Sequence, residues 1–118
     1  MEQSDLDLGL AAFQAQNYAE ALRLLTSIAQ AGHAEAQCMI GNIYDLGLGV
    51  AQDVSQAMHW YEQSAKQGYG VASNNLGSIA LRGYADVSPN PVEAERFFRQ
   101  ARKQGFEHAP VSAQCLKA

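Results

Sequence analysis

The 118-residue chain has no run of basic residues and no apolar stretch of the roughly 18 residues that a membrane span needs. Its eight Lys and Arg are outnumbered by twelve Asp and Glu, for a formal charge of −4. Nucleic acids and anionic membrane surfaces select basic patches, so neither is expected as a partner. The opening MEQSDLDLGLAAF carries Asp and Glu where a secretory signal would carry Lys or Arg, which predicts a soluble, cytoplasmic chain as it stands. Cysteine is scarce too. Cys38 and Cys115 lie 77 residues apart, fit no metal-ligand spacing, and are expected to be reduced thiols in a reducing compartment.

Catalytic patterns are missing as well. His33, His59 and His108 are scattered, with no HExxH and no carboxylate placed to orient them. A Cys38 and His59 pair is the one nucleophile-and-base arrangement conceivable, and it ranks far below a non-enzymatic reading. The GLGV segment is not followed by the lysine that a phosphate-binding loop uses. No enzyme activity, cofactor or metal is therefore expected.

What the chain does contain is periodicity. In the stretch from Gly32 to Gly68, Ala36, Ile40, Gly41 and Tyr44 fall at helical spacing, Gly47 and Gly49 stop that helix, and Asp53 with Gln56 begins a second one. The buried stripe of the second helix is Val54, Ala57, Met58, Tyr61 and Ala65, widened by Trp60. The same events recur on both sides. Helix starts are signalled by Asn17 with Glu20, Asp53 with Gln56 and Asn90 with Glu93, then by Ala21, Ala57 and Ala94. The bulky pairs Leu24-Leu25, Trp60-Tyr61 and Phe97-Phe98 follow, then Gly32, Gly68 and Gly105. The preceding helices carry Leu8-Gly9, Ile40-Gly41 and Leu76-Gly77. A glycine in mid-helix needs a reason, and close approach of a neighbouring helix is the one expected here.

These residues, above all IGNIYDLGLGVAQDVSQAMHWYEQSAKQG, resemble the Sel-1-like repeat, a relative of the tetratricopeptide repeat. The third unit departs from the pattern with Ala80 in place of the tyrosine, and the first has a shorter, tetratricopeptide-like loop. The expected fold is all-α: an α-solenoid of three antiparallel helix-turn-helix repeats at about 4–32, 33–68 and 69–105, with a C-terminal capping helix at about 107–117, together one domain over 1–118. Trp60, Tyr61, Tyr44, Phe97 and Phe98 are expected in its core.

In tetratricopeptide arrays the first helix of each repeat lines a concave surface. Carrying the register over by way of each Leu-Gly or Ile-Gly pair places Leu6, Leu10 and Phe13 there in unit one. Unit two contributes Cys38, Asn42 and Asp45, and unit three Asn74, Ser78, Leu81 and Arg82. Asn can bond the backbone of an extended peptide and Arg can pair with a carboxylate. The alternative is that these are simply solvated helix faces. The resemblance implies an adaptor that holds a protein or peptide partner on this surface, or along the loop from Gly83 to Asn90, as a monomer or weak homo-oligomer. Competing readings are a dedicated inhibitor or immunity-type partner of one effector, an enzyme, and a structural role through self-association.

Overall fold

The computed structural model describes residues 4–106. Over that range the chain forms six helices: α1 (Asp5–Gln14), α2 (Tyr18–Gln30), α3 (Ala34–Leu46), α4 (Val54–Lys66), α5 (Gly70–Arg82) and α6 (Pro91–Lys103). They pair as α1 with α2, α3 with α4 and α5 with α6, and the pairs stack through α2 on α3 and α4 on α5. This is the all-α repeat solenoid that the periodicity implies. The expected capping helix lies outside the described residues.

Short polar side chains set three of the six helix starts. Ser4 Oγ accepts from the Asp7 N–H at 3.1 Å, Asp53 Oδ1 from the Gln56 N–H at 3.0 Å, and Asn90 Oδ1 from the Glu93 N–H at 3.1 Å. Each satisfies one of the backbone donors that a helix leaves free at its start. His33 does the same for α3, its Nδ1 accepting from the Ala36 N–H at 3.3 Å. Pro91 occupies the first turn of α6, where its missing N–H is no loss. Asn17 departs from expectation: it stands at the start of α2 without a side-chain cap, and Glu20 is instead held by Arg23 at 2.6 Å. The tight turn before it puts Gln16 in the left-handed region (φ 64°) and ties the Asn17 N–H to the Ala12 carbonyl at 2.8 Å.

Each pair is locked by a hole in one helix and bulk in the other. A Cβ added to Gly41 would lie 2.5 Å from Cε1 of Tyr61. One on Gly77 would lie 2.6 Å from the Phe98 ring, and one on Gly9 2.7 Å from a Leu25 methyl. The three repeat-matched glycines therefore do meet their partner helix, and a side chain would hold the two apart.

A continuous core runs through the stack, with Leu25, Ile40, Ile43, Tyr61, Leu76 and Ile79 fully buried. Each such side chain contributes roughly 1.5–3 kcal/mol of burial. The bulky pairs are not buried as pairs: Tyr61 is fully enclosed, whereas Trp60, Phe97 and Phe98 are half-buried. Neighbours along a helix point about 100° apart, so one member takes the centre and the other the flank. The same geometry explains Leu8, which is exposed while Gly9 beside it makes the contact with α2.

The loop before α6 is also ordered. Tyr84 and Val87 exchange both backbone hydrogen bonds, at 3.0 and 2.7 Å, and the Asn90 N–H returns to the Ala80 carbonyl at 2.7 Å.

Candidate functional site

The helices expected to line the concave face are α1, α3 and α5. Two side-chain ties run from α3 to α5. Asn75 Nδ2 donates to Cys38 Sγ at 3.6 Å, and Arg82 Nη2 donates to Asp45 Oδ1 at 2.5 Å. Both ties span 37 residues, so the repeat interval is also the register between these helices. Cys38, Asn42 and Asp45 are spaced i, i+4 and i+7, which puts them on one stripe of α3, the stripe that faces α5 through these ties.

At the two ends of the predicted site the placement is mixed. Leu6 and Leu10 are half-buried, and Phe13 is buried edge-on against Tyr18 with ring centroids 5.5 Å apart. Leu81 is exposed, and Arg82 keeps 45% of its side chain in solvent. In between, Asn42, Asp45, Asn74 and Ser78 are buried. They are not solvated helix faces. Asn42 is only 6% exposed, and its side-chain carbonyl has no hydrogen-bond partner among the described residues. A buried acceptor left in that state costs about 1–3 kcal/mol, which an incoming N–H donor would relieve.

Charge is concentrated at one end of the face. The Asp45 side chain, 4% exposed, takes the Arg82 guanidinium on one oxygen and the Tyr61 hydroxyl at 3.5 Å on the other. Burial pushes the Tyr61 phenol far above the usual tyrosine range, and the Asp45 charge pushes the same way while Arg82 opposes it. Tyr69, at the start of α5, is raised by burial and then by Glu35.

Two polar residues that the register mapping missed belong to this region. Asn75 is buried beside Cys38, and the 37-residue interval from Cys38 was the signal that could have found it. Gln37 is buried as well, donating to the Ala29 carbonyl at 3.0 Å and accepting from Gln67 at 2.9 Å. Unit three repeats that link between its first helix and the end of its second, with Ser73 donating to Gln104 at 2.6 Å.

The expectation of two reduced thiols is overturned: Cys38 is disulfide-bonded, and no described cysteine is free. The chain's other cysteine, Cys115, lies outside the described residues. The 77-residue separation of the two cysteines gave no local sign of a bonded sulfur. With the reduced-thiol expectation falls the support it lent to a cytoplasmic location. Among the described residues no cluster of three or more His, Cys, Asp or Glu could hold a metal ion, and no helix is long and apolar enough to cross a membrane.

A second recess, about 180 Å³, lies under the loop between Gly83 and Asn90. Met58, Leu76, Ile79, Tyr84 and Phe97 line it, together with Glu62 and Glu93.

Comparison with known proteins fits this architecture. The Sel1 repeat model matches residues 8–33, 34–69 and 70–106. Over 81 residues, 69% of this chain, the sequence is 36% identical to chitin synthase regulatory factor 3 of Schizosaccharomyces pombe, spanning 9% of that protein. A Sel1 repeat protein from Oxalobacter formigenes superposes with a TM-score of 0.77 at 34% identity, covering 84% of this chain and 40% of the other. A protective antigen present in uropathogenic Escherichia coli strains, displaying an SLR fold, gives 0.80 at 27% identity, covering 86% and 22%. Sel1 repeat proteins mediate protein–protein interaction, and the repeat is a non-catalytic scaffold.

Proposed function

Because the chain belongs to the Sel1 repeat family, we propose that it works as an adaptor, a protein-interaction module that holds a segment of one partner on its α1, α3 and α5 face and performs no chemistry. Asn42 carries this reading. Its buried side-chain carbonyl has no partner among the described residues and stands amid Asp45, Asn74, Asn75 and Ser78, where an apolar stripe would have sufficed to hold two helices together. An extended backbone offers the N–H donors that such acceptors take. Leu10 and Phe13 at one end and Arg82 at the other suit a segment with an apolar end and an acidic one. A role in regulation through binding agrees with the name of the Schizosaccharomyces pombe relative, of which this chain matches a small part. The module acts as a monomer or weak homo-oligomer, which solution mass against the 12.7 kDa chain mass tests.

The direct test compares wild type with Asn42→Leu. The volume is nearly kept and one acceptor is removed, so the fold should survive with unchanged helical circular dichroism. Partners captured from the source cells with wild type are then purified and titrated. Loss of one hydrogen bond to a buried acceptor should weaken binding about 10-fold. Equal affinity for the two proteins would remove the α3 face from the account. Arg82 is a poorer probe, since it also holds Asp45.

A further inference from the structure

The recess under the loop between Gly83 and Asn90 lies where the third unit is short of a ring. Counted from the paired glycines, Tyr44 stands three residues after Gly41, and Ala80 three residues after Gly77. Tyr44 is half-buried against the core. Ala80 puts only a methyl group at the same register position, and it lines the recess of about 180 Å³. The other α5 residues that line it, Leu76, Ile79 and Gly83, fall with Ala80 at helical spacing and form a stripe separate from that of Asn74 and Ser78. Its flanks come from second helices, Met58 and Glu62 on α4 and Glu93 and Phe97 on α6, so it is no part of the α1, α3 and α5 face. The loop does not sink in to fill the space. Tyr84 and Val87 hold each other through two backbone hydrogen bonds, the Ala80 carbonyl holds the Asn90 N–H at 2.7 Å, and a Cβ on Gly83 would already lie 2.7 Å from the Val87 carbonyl oxygen.

Charge decides what the recess suits. Arg96 donates to both carboxylate oxygens of Glu93 and lies over the Phe97 ring, 4.6 Å from its centroid. The charge of Glu93 is therefore balanced, and one face of Phe97 is taken. Glu62 is exposed and makes no ion pair among the described residues. The recess thus joins apolar walls to one uncompensated negative charge. Lysine divides the same way: a long aliphatic stem that buries on apolar surface, and a compact ammonium that stays at the wet edge. Arginine suits it less, with a shorter stem and a broad planar head. We propose that the recess is a docking site for one lysine side chain of a partner protein, its stem against Met58, Leu76 and Ile79 and its ammonium at Glu62. Pockets that enclose a whole small molecule run about 300–1,000 Å³, so a space of 180 Å³ takes a side chain rather than a metabolite. The formal charge of −4 draws basic partners toward the chain. This contact is additional to the α3 face and does not depend on it.

The test titrates Nα-acetyl-lysine N-methylamide into the full chain, labelled with ¹⁵N and at its methyl groups. The methyl signals of Met58 and Ile79 and the amides of Tyr84 and Val87 should shift and saturate, with the roughly millimolar affinity of so small a ligand. The norleucine analogue, which keeps a stem and lacks the charge, should bind about 3-fold more weakly, and Glu62→Gln should bring lysine down to that level. Ala80→Tyr supplies the ring that the second unit carries and should abolish the saturable shifts with helical circular dichroism unchanged. If that variant loses its fold, the shift map of wild type still locates the probe, and Glu62→Gln, at an exposed position, still tests the charge. Equal binding of lysine and norleucine, tighter binding of the arginine analogue, unchanged binding by folded Ala80→Tyr, or shifts that scatter over other carboxylates without saturating would each overturn the proposal. The probe is read without any captured partner, so this result and that of Asn42→Leu are separate: either site can fail while the other stands.

Discussion

Gly41→Ala pits two well-understood effects against each other. In an exposed helix the change would stabilise the fold by about 1 kcal/mol, since alanine is the better helix former and restricts the unfolded chain. Here the new methyl would meet three atoms of the Tyr61 ring, at 2.5, 2.6 and 3.1 Å. That ring cannot step aside: Tyr61 is fully buried and its hydroxyl reaches Asp45. Forcing a methylene-sized group into such a contact costs about 1–3 kcal/mol, occasionally more, and the rigidity of the ring argues for the upper end. The net expectation is a loss of about 1–2 kcal/mol, or roughly 4–8 °C in Tm for a chain of this size. Urea unfolding followed by circular dichroism at 222 nm reads the loss directly. Gly9→Ala is the internal comparison. Its nearest atoms are the branched end of Leu25, as buried as Tyr61 but more flexible than a ring, so this variant should lose less than Gly41→Ala. If Gly41→Ala proved as stable as wild type or more so, the two helices would not be in the contact described, and the hole-and-bulk account of the repeat would fail.

Tyr61→Ala should cost about 3–5 kcal/mol, and Trp60→Ala, from a half-buried site, clearly less; thermal melts of the two variants that came out in the opposite order would contradict the register of α4. The raised pKa of Tyr61 carries a sign. The folded state prefers the neutral phenol, so its contribution is whole below the unfolded value near 10 and is lost as pH rises above it through the folded value. Wild type should therefore lose stability above about pH 10 faster than Tyr61→Phe, as chemical denaturation at a series of pH values will show. Arg82→Ala leaves the enclosed Asp45 carboxylate with only a long contact from Tyr61. Because Arg82 itself is nearly half exposed, the loss should be about 1–2 kcal/mol rather than the full penalty of a buried pair, with Arg82→Lys recovering part of it in the same urea assay.

Much of the fold was legible because its determinants are local or repeat in step. Asp53 and Asn90 announce helix starts by the chemistry of a short acceptor before an apolar stripe, and the structure uses both. Gly41 and Gly77 signalled close approach because a glycine in mid-helix recurred at one register against a bulky pair. Asn17 failed because a cap competes with the turn it sits in, and the tight α1–α2 connection set its geometry first. At the candidate site, periodicity showed which residues of α3 and α5 point away from the second helix of each pair. It carried no information on whether those residues would be covered, so Asn42, Asn74 and Ser78 could be placed but their burial could not be foreseen. Cys38 was the hardest case, because nothing in the residues around it marks its sulfur as bonded.

The hairpin-like turn before α6 has a use for protein engineering. Its base is stapled by the Asn90 N–H to Ala80 and by the Tyr84 and Val87 exchange, while Ala85 and Asp86 at the tip stand in solvent. Ends held this close set little penalty on length, since doubling a flexible loop costs only about 0.6 kcal/mol. A fluorescent reporter or an epitope spliced between Ala85 and Asp86 would ride on the scaffold at a known address.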